Sequence, residues 1–524
     1  MIRLTIDCVE TEVDEGITIL QAAASLGIEI PTMCYIANIK GHPSCMVCTV
    51  LDEASGTWLP SCSMPVAEGM KIITESDNLR AFRREAIELL LSDHVGDCEA
   101  PCRIACPAFM NIPLMNRKIA KGSFGEALQI VRQEIALPLV LGYICPAPCE
   151  KVCKRKPIDG AVSICLLKRF TADDPERRLH ELSQAAKTGK RVAIIGTGPA
   201  GLSAAYFLLM KGHDVVLFDK QAEPGGALRY DIPDAELPRT ALDAEIEVLK
   251  MLGALFIVNT EISVTQLKAD GYGNFDAFIL ATGNKDVHPM DEVFDLDLGV
   301  KHFIHQDNFT TSIPGVFACG SIFRDLNMAV KAGAQGKIAA HNTDRFLKGE
   351  ALQHEIPLFN SVIGHLNPAE FDEYLKESLP MNRVTPTPEN AGSFSQEKAI
   401  NEALRCMHCD CRKPASCKLR ILATDYNANR RKFAGLERKP VRKYFQHDLV
   451  VYEPEKCIRC GICVEIASQD SSSLGLSYIG RGFDVEINVP FNKPIAQALH
   501  SKALECAAAC PTGALAQKQA EEFE

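Results

Sequence analysis

Residues 92–109, SDHVGDCEAPCRIACPAF, set a histidine and three cysteines four positions apart: His94, Cys98, Cys102 and Cys106. On a helix, side chains four apart share a face, so this spacing could present a stripe of soft ligands. It equally suits a buried stripe in which cysteine serves as a small apolar residue. The chain holds 22 cysteines, strongly grouped and often spaced C-x2-C. In a large chain expected to stay in the cytoplasm, that grouping favours metal or cluster ligation over disulfides.

The first group is Cys34-x10-Cys45-x2-Cys48-x13-Cys62. Four thiolates in one loop region suit a [2Fe–2S] cluster. A structural zinc site is the alternative, although zinc knuckles normally come as two C-x2-C pairs. Further on, RCMHCDCRKPASCKLR supplies Cys406, Cys409, Cys411 and Cys417. These read as one site, [4Fe–4S] or zinc, with His408 a bystander. The last group follows the ferredoxin run C-x2-C-x2-C-x3-C-P, whose fourth cysteine serves the other cluster of a pair. Here Cys457, Cys460 and Cys463 form the triplet, Ala467 takes the fourth place, and a second run keeps only Cys506 and Cys510-Pro511. One [4Fe–4S] cluster on Cys457, Cys460, Cys463 and Cys510 is expected, leaving Cys8, Cys319 and Cys506 spare.

A different chemistry is written in KRVAIIGTGPAGLSAAYFLLMKGHDVVLFDK. An apolar strand (192–195) runs into Gly196-x-Gly198-x-x-Gly201, then a small-residue helix, then a second strand ending at Asp219. This is the dinucleotide-binding fingerprint in its strand–turn–helix context. The glycines bring backbone N–H groups to a pyrophosphate at the helix N-terminus, and Asp219 is placed to accept from ribose hydroxyls.

The elements that must position these groups are partly readable. Residues 2–14 alternate like a hairpin, 18–26 read as a short helix, and GMKIIT as a returning strand. Residues 349–400 show little periodicity and read as a linker. With 524 residues, several domains are expected. A net charge of -11 and a single Trp argue against a general nucleic-acid binder. The strand-like start and the lack of a long apolar run set the expectation of a cytoplasmic protein without a membrane span.

Residues 1 to about 110 resemble the N-terminal end of the iron–sulfur subunit of respiratory complex I and of NAD-linked hydrogenases. There a [2Fe–2S] domain precedes a site of one histidine and three cysteines, usually spaced H-x3-C-x2-C-x5-C; this chain has H-x3-C-x3-C-x3-C. Beyond it, CPAFMNIPLMN, GYICPAPCEKVCKRKP and VSICLLKRF resemble the glutamate synthase small subunit and the matching domain of dihydropyrimidine dehydrogenase. That resemblance implies a helical domain with two [4Fe–4S] clusters. Carried over, Cys98, Cys102 and Cys153 serve one, with His94 in place of an upstream cysteine. Cys106, Cys145 and Cys149 serve the other. Its remaining ligand in the family, Gln or Glu, falls on Lys168, whose ammonium has no lone pair; Cys165, one turn earlier, can take its place.

The segments EPGGALRYDIP, FDAFILATGN and IPGVFACGS are similar, in order, to the FAD-binding segments of the same family. The resemblance places Gly196, Gly198, Pro199, Ala200, Gly201, Asp219, Lys220, Gly225, Gly226, Arg229, Thr282, Gly283, Gly320 and Ser321 around FAD. The family has Asp where Ser321 stands, and a hydroxyl binds more weakly than a carboxylate. The family also inserts an NADPH domain where this chain has only residues 285–314, too few for a second βαβ unit.

The fold expected is multidomain, α/β with α+β parts. It comprises a β-grasp [2Fe–2S] domain (1–77), a helical double-cluster domain (78–187), a Rossmann-like FAD domain (188–348), a linker (349–400), a cysteine-rich [4Fe–4S] segment (401–450) and a ferredoxin-like domain (451–524). One [2Fe–2S] cluster, four [4Fe–4S] clusters, one FAD and no catalytic triad imply an electron-transfer subunit of an oxidoreductase complex. Its expected partners are an NADH-dehydrogenase-like flavoprotein and a terminal subunit of hydrogenase or formate dehydrogenase type, with ferredoxin a further candidate. The rival reading is a self-contained FAD oxidoreductase using ferredoxin or a small substrate. A zinc-stabilised scaffold is the non-enzymatic one. The basic stretches KRKP (154–157) and RRKFAGLERKPVRK (430–443) read as solvated surface.

Overall fold

The alternating start forms an antiparallel hairpin, β1 (Ile2–Ile6) and β2 (Val9–Val13), with Ile2 opposite Val13. The computed structural model describes residues 1–39, 41–179, 183–262, 274–283, 307–322, 326–352, 358–386, 392–435 and 438–518. The chain forms two units. The first comprises Met1–Ala100, Pro357–Lys376 and Cys409–Glu524, the second Pro101–Ile356 and Glu377–His408.

In the first unit, β3 (Thr49–Asp52), β4 (Thr57–Pro60) and β5 (Lys71–Ile73) join the hairpin in a five-stranded sheet ordered β2-β1-β5-β3-β4. The helix Ile19–Ser25 starts at Thr18, whose hydroxyl and Gln21 form a reciprocal capping box. It buries Ile19, Leu20 and Ala22 against Leu4, Ile6, Val50 and Ile72. The helix Asp77–Ser92 follows, capped by Ser76. Its Ile87 and Leu91 share one core with Met33, Val47, Ile462, Ile466, Ile487 and Leu515. Two short antiparallel strand pairs complete this unit: β11 (Val450–Tyr452) with β14 (Leu515–Gln517), and β12 (Ser477–Ile479) with β13 (Glu486–Asn488).

The four-residue stripe of the sequence does not become one helix face. The helix before it ends at Ser92, residues 93–100 are not helical, and the next helix is only Pro101–Ala105. Of the four residues, only Cys102 is helical. Pro101 is the cause: it disfavours helical geometry at Ala100 and is preorganised as the first residue of a new helix. The expected linker also contains two helices, Pro368–Leu375 and Gln396–Ala403. Asn367 and Glu370 make a capping box and Ser395 caps the other start, so the ends carried signals that the short interiors did not.

In the second unit, β6 (Arg191–Ile195), β7 (Asp214–Phe218), β8 (Leu255–Ile257), β9 (Ala277–Leu280) and β10 (Val316–Ala318) form a parallel sheet ordered β10-β9-β6-β7-β8. The order reverses between β6 and β9, the switch point at which doubly wound sheets bind ligands. The helices Pro199–Met210 and Ala329–Lys348 pack closely: a Cβ on Gly336 would stand 2.2 Å from the Ala200 carbonyl oxygen. A second core, with Ile112, Met115, Val131, Leu167 and Phe170, surrounds Cys106 and Cys149. Most of the expected inter-segment stretch 285–314 lies outside the described residues. Among the described residues, no helix is long and apolar enough to cross a membrane.

Candidate functional site

Three cysteine sets and one cavity concentrate the chemistry. Cys34, Cys45 and Cys48 are buried and Cys62 half-buried, all on loops at the edge of the first sheet. The Cys34 and Cys45 sulfurs are 3.4 Å apart. The hydrogen bond from Cys45 pulls the Cys34 thiol down to about 2, and that from Cys62 pulls Cys48 down to about 7, while the donors Cys45 and Cys62 are pushed up. Four sulfurs gathered in this way could serve as the donor set of a [2Fe–2S] cluster.

Cys457, Cys460, Cys463 and Cys510 line a second small pocket with Tyr452, Ile487 and Pro511. Burial pushes Cys457 and Cys460 up to about 12 and raises Cys463 as well. A thiol so desolvated is a thiolate only when a cation compensates it, which a cluster does. Ala467, at the lost fourth place, is fully buried. Cys506 points its thiol at the Cys463 carbonyl at 3.6 Å. Two contacts tie this set to the first. The His42 ring lies 2.8 Å from the Glu465 carboxylate, and Cys34 and Cys45 share a hydrophobic core with Cys460.

In the second unit, Cys106, Cys145, Cys149 and Cys165 line one pocket with Lys168, Met110 and Ile112. Cys165 thus stands with the three cysteines it was expected to join. The hydrogen bond from Cys145 lowers its thiol, but the bond to Cys149 and burial prevail and leave it at about 11. The buried Lys168 ammonium donates to the Leu141 carbonyl at 3.1 Å and lies 4.0 Å from the Cys165 sulfur. Burial works against its charge, yet the sulfurs of Cys165, Cys145, Cys106 and Cys149 outweigh burial and raise its pKa.

The remaining expected ligands divide. Cys98 donates its amide to Ser361, receives the Ser361 amide on its sulfur at 3.4 Å, and accepts the Cys411 amide on its carbonyl at 3.1 Å. Cys98, Cys409, Cys411 and Cys417 belong to the first unit, Cys102, Cys153 and Cys406 to the second. Cys102 and Cys153 are half-buried against the core around Cys106 and Cys149. His94 sits against the Lys456 carbonyl, with Nδ1 at 3.2 Å. Burial, then the Lys456 charge, push its imidazole down to about 4. Cys319 is fully buried, and burial alone pushes it up to about 12, so it is an inert core thiol.

The sheet's switch point opens into a cavity of about 570 Å³, a size suited to a small-molecule cofactor. Gly196, Gly198, Pro199, Ala200, Asp219, Lys220, Gly226, Thr282, Gly283, Gly320 and Ser321 line it. Gly201 does not, but a Cβ there would lie 2.0 Å from the Gly196 oxygen, so only glycine lets helix and loop meet. Gly225 and Arg229, also expected there, do not line it. Arg229 donates to the Pro224 carbonyl at 2.7 Å and pairs with Asp243, holding the loop 224–226. Asp219 accepts from the Thr197 amide at 2.8 Å and hydroxyl at 2.5 Å, and from the Gln221 amide at 2.9 Å. It therefore braces the glycine loop as well as facing the cavity. Thr197 and Gln335, whose side-chain oxygen accepts the Gly320 amide at 2.8 Å, were missed in the sequence because neither carries a motif.

Comparison with known proteins bears on part of the chain. Residues 1–77 match the 2Fe–2S iron–sulfur cluster binding domain, and 92–179 match domain II of dihydropyrimidine dehydrogenase, with its 4Fe–4S cluster. Residues 194–242 match the NAD(P)-binding Rossmann-like domain. The β subunit of NADP(+)-dependent formate dehydrogenase from Moorella thermoacetica is 36% identical over 264 residues, 46% of this chain and 35% of that protein. The β subunit of NADPH-Fe(3+) oxidoreductase from Geobacter sulfurreducens is 36% identical over 213 residues, 39% of this chain and 31% of that protein. The small chain of glutamate synthase [NADPH] from Bacillus subtilis is 36% identical over 199 residues, 36% of this chain and 40% of that protein. The matches thus span less than half the length of each of these relatives. By its domains, the chain is a multidomain iron–sulfur protein that joins a [2Fe–2S] domain, a [4Fe–4S] domain of the dihydropyrimidine dehydrogenase type and a Rossmann-like nucleotide-binding domain, and it is similar to subunits of oxidoreductases.

Proposed function

We propose that this chain is an electron-transfer iron–sulfur flavoprotein subunit of a multisubunit cytoplasmic oxidoreductase. It links an NADH-oxidising flavoprotein module to a terminal catalytic subunit of hydrogenase or formate dehydrogenase type. The observation that carries this reading is the shared core of the first unit, where Cys34 and Cys45 pack in one apolar cluster with Cys460. Two redox centres sharing one apolar core suit one-electron transfer between them.

In this reading Cys34, Cys45, Cys48 and Cys62 hold the [2Fe–2S] cluster. Cys457, Cys460, Cys463 and Cys510 hold one [4Fe–4S] cluster, and Cys106, Cys145, Cys149 and Cys165 another. FAD, when bound, couples two-electron chemistry to the one-electron steps of the clusters. The chain's own part is to bind and orient. The glycine loop at 196–201 presents amides at a helix N-terminus, where a pyrophosphate is stabilised. Thr197, braced by Asp219, fixes that loop. Apolar packing around each thiol set excludes water and so sets its potential.

The test is anaerobic reduction of the purified chain by NADH or NADPH, followed by its visible absorbance. The reading predicts no bleaching by either nucleotide and full bleaching by dithionite. Prompt bleaching by a nucleotide would overturn it in favour of a self-contained reductase.

A further inference from the structure

We propose that Cys98, Cys411 and Cys417 are ligands of one and the same [4Fe–4S] cluster, a set that draws on both ends of the chain and excludes Cys102 and Cys153. The inference rests on the reading of the cysteine groups as cluster ligands, and adds which thiols share a site.

Three segments are laced together here. The Cys411 amide donates to the Cys98 carbonyl at 3.1 Å, and the Cys98 amide to Ser361 at 3.1 Å. The Glu99 amide donates to the Asn360 side chain at 3.1 Å, and Arg420 pairs with Glu99 at 2.8 Å while donating to the Phe359 carbonyl at 2.9 Å. Arg420 and Glu99 are both buried, so this pair fixes 98–99 against 417–420 without solvent between them. All three cysteines are themselves buried.

The sulfurs are also given room and hydrogen bonds. A Cβ on residue 513 would stand 2.3 Å from the Cys411 sulfur, so glycine there keeps the space around that sulfur open. The Ser361 amide donates to the Cys98 sulfur at 3.4 Å, the kind of N–H···S bond that tunes a cluster thiolate. The Lys418 amide, one residue past Cys417, donates to the carbonyl of Pro511, one residue past Cys510, at 2.9 Å. The site therefore adjoins the Cys457–Cys510 set.

Iron counting in paired variants tests the grouping. Cys98→Ala should lose about 4 Fe per chain. Cys98→Ala/Cys417→Ala should lose no more than that, and Cys98→Ala/Cys106→Ala, which adds a ligand of another set, about twice as much. The reverse pattern, or no iron loss in Cys98→Ala, would overturn the proposal. The [2Fe–2S] EPR signal serves as the folding control. Where a variant loses that signal, the wild-type protein decides: during slow oxidative cluster breakdown, alkylation followed by mass spectrometry reads each thiol. Cys98, Cys411 and Cys417 should become reactive at one common rate, whereas Cys98 keeping pace with Cys102 would refute the set. Wild-type protein without iron would sink the cluster reading itself, which is a separate outcome.

Discussion

The Lys168 ammonium lies 4.0 Å from the Cys165 sulfur, buried in the same pocket as three further cysteines. A fixed positive charge at that distance favours the more negative, reduced state of any cluster held there. At an effective dielectric near 20 such a contact is worth up to about 4 kcal/mol, and tenfold in a one-electron equilibrium is about 59 mV. Lys168→Met should therefore lower one [4Fe–4S] midpoint potential by roughly 50–150 mV and leave the others in place. A potentiometric EPR titration reads this directly.

Gly201 allows the closest approach in the nucleotide site, with a Cβ placed 2.0 Å from the Gly196 oxygen. Gly201→Ala should push the helix Pro199–Met210 off its loop, cost on the order of 2–3 kcal/mol and abolish flavin retention. The [2Fe–2S] signal should survive, because its four cysteines belong to the other unit. Flavin released by acid and the EPR spectrum of the same sample check both halves.

Much of this was legible because cysteine spacing and the glycine fingerprint are local signals. The 2–14 hairpin and the strand–turn–helix at Gly196–Gly201 form where the pattern put them, whereas the C-x2-C pair Cys406 and Cys409 falls in different units. Two features were not legible. Cys98 bonds to Cys411 through backbone groups, and no local pattern encodes a contact between such distant positions. The stripe His94–Cys106 looked helical by period, but Pro101 restarts the helix and the period is broken. The expectation that Cys165 joins Cys145 and Cys149 comes from a family resemblance that puts the fourth ligand at Lys168, with helical spacing supplying the step of one turn back.

Arg83 is almost fully buried and donates to the Thr49 carbonyl at 2.9 Å, the Thr74 carbonyl at 2.6 Å and the Glu75 carboxylate at 3.0 Å. Thr49 follows Cys48 directly. Arg83→Met leaves buried carbonyls unpaired and should destabilise the first unit by about 2–4 kcal/mol. The expected sign is loss of the [2Fe–2S] absorbance at lower denaturant than in wild type.

Glu245 is buried beside Arg132, with its carboxylate accepting the Leu139 amide at 2.5 Å. Burial pushes its carboxyl up to about 7, against about 4.3 in an unfolded chain. A pKa raised on folding means the folded state holds the proton more tightly. The resulting stability is full below pH 4 and is lost as the pH rises through 7, on the order of 3 kcal/mol in all. Glu245→Gln keeps the acceptor and removes the titration. The difference in melting temperature between wild type and variant should therefore change across pH 5–8 in the variant's favour; a constant difference would contradict this.

The central claim is that the cysteine groups hold iron–sulfur clusters and that the Rossmann-like cavity holds a flavin. Iron, acid-labile sulfide, zinc and flavin per chain, on anaerobically purified protein, test it most directly. One [2Fe–2S] and four [4Fe–4S] clusters require about 18 Fe with matching sulfide, together with one FAD. Stoichiometric zinc with little sulfide would contradict the account.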